Sequence, residues 1–345
     1  MKRTNTKGQI VLKCLLFGLI FLLIFLPVNQ ILRRKSLIPP WNMTTKVHGF
    51  YNEPVDTFDV MFFGSSHAYC SVNPLLLFEQ TGAASYLFCS QQQPLWATYH
   101  FMEEAFKTQR PELAVVEVYM ADEDRSYMDE GTNFSAEDDL EFSWNKLELI
   151  RALAPSGERL PYLLGFLKYH GRWDQLNSSD FSLDYLEERD LLRGYVLLDK
   201  CNPGEAIPTD VSAVTEQKPL TAKNADYLRR IVELCAREDV QLLLMKSPSN
   251  ETVELKKRMN AVEAFAAESK TAFVDFNLSY DELGLTPEDF YDYGHLNYRG
   301  TEKFTSYFGA YLTRSYDLPD HRGESAYAGW SEDVEQYRRM VADLS

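Results

Sequence analysis

Cysteine is scarce and unpatterned: Cys14, Cys70, Cys89, Cys201 and Cys235 show no C-x-x-C or C-x-x-C-H spacing. Zinc and haem-attachment motifs are therefore absent, and no metal or other cofactor is implied. Cys70 and Cys89 are expected to follow neighbouring strands, which leaves a disulfide or two free buried thiols. Positive charge is also short. Residues 1–35 hold seven of the 35 Lys and Arg residues and no acid, so residues 36–345 carry 28 bases against 51 acids, a formal charge of −23. Such a surface repels polyanions. A nucleic-acid partner is excluded on the same ground, because that affinity comes largely from basic residues on phosphates. What remains, 45% hydrophobic and 25% charged residues over 345 positions, suits a globular chain with a sizeable core.

A cleavage signal is missing as well. Cys14 to Val28 is uncharged and almost wholly apolar, and Ile10–Leu32 is long enough to span a bilayer with Lys13 snorkelling at one end. The following Pro27-Val28-Asn29-Gln30-Ile31 offers no small-residue site for signal peptidase. The segment is predicted to be an uncleaved, single-pass anchor in the cell membrane. Four basic residues precede it and three follow, and the N-terminal amine tips the balance toward N-in, C-out, with an extracytoplasmic remainder.

Four regions are predicted: a basic N-terminus and anchor (1–35), a linker with Pro39-Pro40-Trp41 (36–54), an α/β domain (55–318) and a C-terminal tail (319–345). Apolar runs predict strands at 59–64, 84–88, 113–118, 240–245 and 271–275, with helices between them. Alternation of this kind implies a doubly wound, mostly parallel five-stranded sheet. Residues of about 120–218 interrupt it and are expected to form a helical insertion. Its acid clusters, Asp122-Glu123-Asp124 and Glu137-Asp138-Asp139, are expected to be solvated surface rather than a metal site. Ligands of such sheets bind beyond the carboxyl ends of the strands.

Two stretches carry chemistry. The first strand ends abruptly in Gly64-Ser65-Ser66-His67, a tight turn with a hydroxyl at its tip. More than two hundred residues later comes Asp292-Tyr293-Gly294-His295, ahead of the last predicted helix. Together these motifs resemble the SGNH (GDSL-type) hydrolase superfamily. The resemblance is to its membrane-anchored bacterial branch, which includes the D-alanyl-lipoteichoic-acid protein DltD and the SGNH-like polysaccharide O-acetyltransferases. It covers residues 55–318 apart from the insertion and implies a flavodoxin-like fold with Ser66 as nucleophile, His295 as base and Asp292 as its orienting carboxylate. A serine hydroxyl needs such a base, and an Asp three residues before the His can hold its other ring nitrogen.

The chain departs from the family where oxyanion donors are expected. Cys89-Ser90-Gln91-Gln92-Gln93 after the second strand has no glycine, and Tyr119-Met120-Ala121-Asp122 after the third has no asparagine. The backbone N–H of Ser66 remains as one donor. Ser65, His67, Ser90, Gln91 and Lys246 are the further candidates for oxyanion or substrate contacts. Lys246 reads either as a substrate contact or as half of a buried ion pair. The resemblance implies an acyl esterase or O-acyltransferase acting on a cell-envelope glycan or glycolipid through an acyl-serine intermediate. The alternative is a non-catalytic accessory subunit that binds polymer or acyl donor beside a membrane-bound acyltransferase, its expected partner.

Overall fold

A computed structural model describes residues 7–202 and 210–344; Lys2 and Arg3, which enter the orientation argument, lie outside them. The chain opens with α1 (Lys7–Leu32) and α2 (Met43–Tyr51). The sheet region begins with β1 (Val60–Phe63), α3 (Ser66–Tyr69), α4 (Pro74–Thr81), β2 (Ser85–Leu87), α5 (Leu95–Ala105) and β3 (Leu113–Glu117). The insertion contributes α6 (Glu130–Glu137), α7 (Trp144–Leu153), α8 (Leu160–Leu163) and α9 (Gly165–Tyr169). Alternation resumes with α10 (Ala222–Glu238), β4 (Gln241–Lys246), α11 (Val253–Ser269) and β5 (Ala272–Asp275). The chain closes with α12 (Tyr280–Leu283), α13 (Tyr298–Ser315) and α14 (Ala328–Ala342).

All five strands are parallel, in the order β2-β1-β3-β4-β5. Strands β1 and β3 are buried along their whole length, as continuous apolar runs covered on both faces should be. The direction of strand addition reverses at β1. Right-handed crossovers then put α4 on one face and α5, α10 and α11 on the other. Accordingly α4 packs with α13 and α14, while α5 packs with α10 and α7. Helix α13 turns Phe304, Phe308 and Leu312 fully inward, each contributing roughly 1.5–3 kcal/mol by burial. The reversal also fixes where a ligand should sit, in the crevice between the carboxyl ends of β1 and β3.

Several expectations are corrected. Part of the stretch read as a linker is α2, whose Met43, Val47 and Phe50 belong to the main core; their i, i+4, i+7 spacing presents one apolar face. The C-terminal tail is likewise not loose. Helix α14 buries Trp330, Val334 and Tyr337 in the same core. Among the described residues, helical structure in the insertion ends before residue 190. From there an irregular strap covers the free edge of the sheet: Leu87 N–H donates to Arg193 O at 2.9 Å, and Val196 N–H to Tyr69 O at 2.9 Å. Gly194, at φ +89°, makes this approach possible, since a Cβ would fall 2.1 Å from Leu87 O.

The acid clusters are solvated surface only in part: Asp124 is exposed, but its neighbours are partly or fully buried and the clusters are ion-paired. Asp122 and Asp124 pair with the buried Arg258 and with Lys218. Lys168, with no exposed side-chain surface, sits between Glu137 and Asp138. Asp139 accepts from Arg33 at 2.6 Å and from Thr44 at 3.0 Å. Cations brought from distant segments offset the desolvation of these carboxylates. Cys70 and Cys89 are free and buried. Helix α1 is long and apolar enough to cross a membrane, and its apolar window is uncovered by the rest of the chain.

Candidate active site

The turn after β1 is shaped by Gly64. Its φ of +143° and the 3.0 Å approach of Glu117 O to any Cβ there reserve the position for glycine. Its N–H donates to the side-chain oxygen of Gln93 at 3.1 Å, which ties the turn to the loop after β2. Ser65 then caps α3, accepting from His67 N–H at 3.4 Å. Ser66 is the first helical residue, so its N–H has no intrahelical acceptor.

On the other side, residues 289–297 form a closed loop. Tyr291 N–H donates to His295 O at 2.9 Å, and Asn297 N–H to Asp289 O at 2.9 Å. Asn297 ends the loop by capping α13, accepting from Arg299 and Gly300 N–H at 3.0 and 3.2 Å. Helix α13 is fastened to the serine segment, because Thr301 Oγ1 donates to Cys70 O at 2.7 Å and Asn73 N–H donates to Thr305 Oγ1 at 3.0 Å. Residues more than two hundred positions apart are thereby locked at the carboxyl edge of the sheet.

The result is a proton relay. Ser66 Oγ lies 2.7 Å from His295 Nε2, and His295 Nδ1 lies 2.8 and 3.1 Å from the two Asp292 oxygens. Asp292 also accepts from the N–H groups of Gly294 and His295 at 2.9 and 3.0 Å. Burial acts to raise the Asp292 pKa, but His295 and these N–H groups outweigh it and hold it below the usual carboxylate value. An ionised carboxylate only accepts. Nδ1 therefore carries the imidazole proton, and Nε2 is left to accept the serine O–H.

The cavity over this relay, about 720 Å³, is lined by Ser65, Ser66, His67, Tyr69, Gln91, Gln92, Tyr119, Asp292 and His295, with Ser36, Trp41 and others at its rim. Three of the five further candidates from the sequence, Ser65, His67 and Gln91, are on its wall. Ser90 is not; it is wholly buried, and its hydroxyl has no hydrogen-bond partner among the described residues. Lys246 is also absent from the wall. It is fully buried 3.9 Å from Glu117 and donates to Ser247 O and Ser249 Oγ. Of its two readings, the buried ion pair is the one the geometry fits. Asp122 is likewise removed from the site by its pairing with Lys218 and Arg258.

His67 stacks between Tyr119, at 3.7 Å between ring centroids, and His295, at 5.1 Å. Burial, then the charges of Lys246 and His295, push its pKa well below the ordinary histidine value, so it stays neutral. Three residues were not singled out from the sequence. Tyr69 has a hydroxyl that interacts with the Ser66 side chain, and burial raises its pKa so far that it remains a donor. Its position three residues after Ser66 on one helical turn was an available signal. Trp41 sets its ring edge-on to His295 at 6.4 Å and to Tyr291 at 6.2 Å, roofing the imidazole from the N-terminal side. Tyr119 supports His67 from below. Among the described residues, no group of three or more His, Cys, Asp or Glu side chains is arranged to hold a metal ion.

Comparison with known proteins adds one partial likeness. Residues 171–316, a stretch holding Asp292 and His295 but not Ser66, match the sequence pattern of an uncharacterised family. No curated protein and no solved structure matches the chain.

Proposed function

We propose that this chain is a membrane-anchored serine esterase or O-acyltransferase of SGNH type, acting on an acyl ester of a cell-envelope glycan or glycolipid. The observation that carries the reading is the continuous Ser66–His295–Asp292 relay, with both links within hydrogen-bond reach. His295 Nε2 takes the Ser66 proton as Oγ attacks the ester carbonyl carbon. The carbonyl electron pair moves to oxygen, where the Ser66 N–H and the Tyr69 hydroxyl are the donors assigned here to stabilise it. Collapse expels the alcohol, which receives the proton from His295, and leaves acyl-Ser66. Water or a sugar hydroxyl, deprotonated by His295, then attacks the acyl carbon and releases the serine. Asp292 holds the tautomer and balances the charge on the imidazolium.

A second reading is supported by the inward Ser90 and the ion-paired Asp122, which leave Gln91 and Gln92 as the amide side chains that the loop after β2 brings to the cavity. On that reading the same cavity binds a polymer or acyl donor for a membrane-bound acyltransferase, without turnover. The two separate by acyl-ester turnover with the purified full chain. The enzyme reading expects release of acetate or another short acyl group that falls to background in Ser66→Ala. Equal rates for the two proteins across several short acyl esters would sink it.

A further inference from the structure

The insertion contains a stretch unlike the rest of the acid-rich body. From Arg159 to Trp173 there is no Asp or Glu, in a chain with 51 of them. Leu160, Leu163, Leu164 and Leu167 are exposed there, and Trp173 is 72% exposed. An uncovered apolar surface of this kind is a contact surface rather than ordinary exterior.

Its position says what it contacts. Helix α9 lies directly against α1: the Phe166 ring is 5.5 Å from the Phe25 ring, and a Cβ on Gly165 would lie 3.5 Å from the Asn29 side chain. Arg172 donates to Leu32 O at 2.7 Å. Phe25 precedes the end of α1 at Leu32 by seven residues, about 10 Å along the helix axis. Helix α9 therefore sits beside the apolar flank of α1, below its end rather than above it.

We infer that residues 160–173 form a membrane foot, seated in the lipid interface alongside α1. The inference rests on the reading of α1 as a membrane anchor. Lipid is the favoured occupant because the exposed leucines continue the uncovered apolar surface of α1. Trp173 and Arg159 supply the aromatic and basic groups that favour headgroup level. Arg159 donates to the carbonyls of Arg151 and Ala154 and, among the described residues, forms no ion pair with a carboxylate. The segment also borders the space next to the site through Tyr169. A second cavity of about 430 Å³, bounded by Arg34 and Tyr169, shares Ser36, Gln91 and Ser135 with the catalytic cavity. Docking thus fixes the groove at a set height and tilt over the bilayer.

The test is nitroxide accessibility with the full chain in lipid nanodiscs. The exposed thiols are first removed by Cys14→Ser and Cys201→Ser, and single labels are placed by Leu164→Cys, Phe17→Cys in α1 and Glu263→Cys on α11. At Leu164→Cys the foot predicts several-fold greater relaxation by oxygen than by a water-soluble nickel chelate, matching Phe17→Cys and opposite to Glu263→Cys. Nickel access at position 164 with lipid signals at 17 overturns the foot while the anchor stands. Shielding from both reagents at 164 means a protein contact, from a second copy or a partner, and also overturns it. Nickel access at position 17 removes the anchor and the foot together.

Discussion

At the scale of single residues, the site depends on which atom of His295 holds a proton. Asp292 fixes it on Nδ1, because its carboxylate stays ionised and can only accept. In Asp292→Asn the side chain offers an amide donor and favours the opposite tautomer, which removes the acceptor facing Ser66. We expect kcat to fall by about 10³–10⁴-fold with KM little changed, read from steady-state kinetics. Tyr69→Phe removes one proposed oxyanion donor and keeps the ring. It should lower kcat by about 10²-fold with unchanged thermal stability; a KM effect alone would assign Tyr69 to substrate binding. His67 stays neutral, so it adds no like charge to the stack with His295 in the proposed reaction. The relay residues were legible in the sequence because the serine turn and the Asp-x-x-His loop, each weak alone, together resemble one family's motifs in the right order. Trp41 was not legible, because Pro39-Pro40 beside it reads as linker and nothing local says that its ring meets His295.

At the scale of elements, the joint between the Asp292–His295 loop and α13 is closely packed. A Cβ on Gly300 would fall 2.3 Å from the backbone oxygen of Asp289, which cannot swing away as a side-chain tip could. Gly300→Ala should therefore cost about 1–3 kcal/mol in denaturant unfolding and lower activity by displacing the loop. A second element-level strain sits behind β4 and β5. Glu251 is buried, and burial together with the Asp275 charge raises its pKa from 4.5 to about 7 against the opposing pull of Lys246, Lys256 and Asn277. The folded state thus keeps a proton that the unfolded chain releases. Stability from this group is present below about pH 4.5, is withdrawn as pH rises and is gone above about pH 7. Glu251→Gln should remove that slope, gaining up to about 3 kcal/mol over wild type between the two limits, as read from melting curves at several pH values. The five strands were legible to within a residue or so, since buried parallel strands are unbroken apolar runs. Helix α14 was legible in principle, with Trp330, Val334, Tyr337 and Val341 at helical spacing, but its density of charge hides that stripe. The strap at residues 190–198 has no periodicity to find. Its order comes from hydrogen bonds to the sheet edge and to α3.

At the scale of the whole molecule, the chain joins a membrane-length helix to an acidic α/β body, and the join is built rather than slack. Arg33, one residue past α1, reaches Asp139 and His48, and Lys35 donates to Asp180 O. Acids that looked like solvated surface in the sequence are partners for cations supplied by the end of α1 and by α11. Sequence reading missed this because ion pairing depends on which segments the fold brings together. The same long-range assembly underlies the proposed activity, since Ser66 and His295 are 229 residues apart in the chain. The most direct measurement of it is labelling of the full-length protein with a fluorophosphonate, followed by intact mass and peptide mapping. The relay predicts one adduct per chain, on Ser66, lost in Ser66→Ala and strongly slowed in His295→Ala and Asp292→Asn. Absence of any adduct on Ser66 in folded wild-type protein, or a rate indifferent to His295→Ala, would contradict the account.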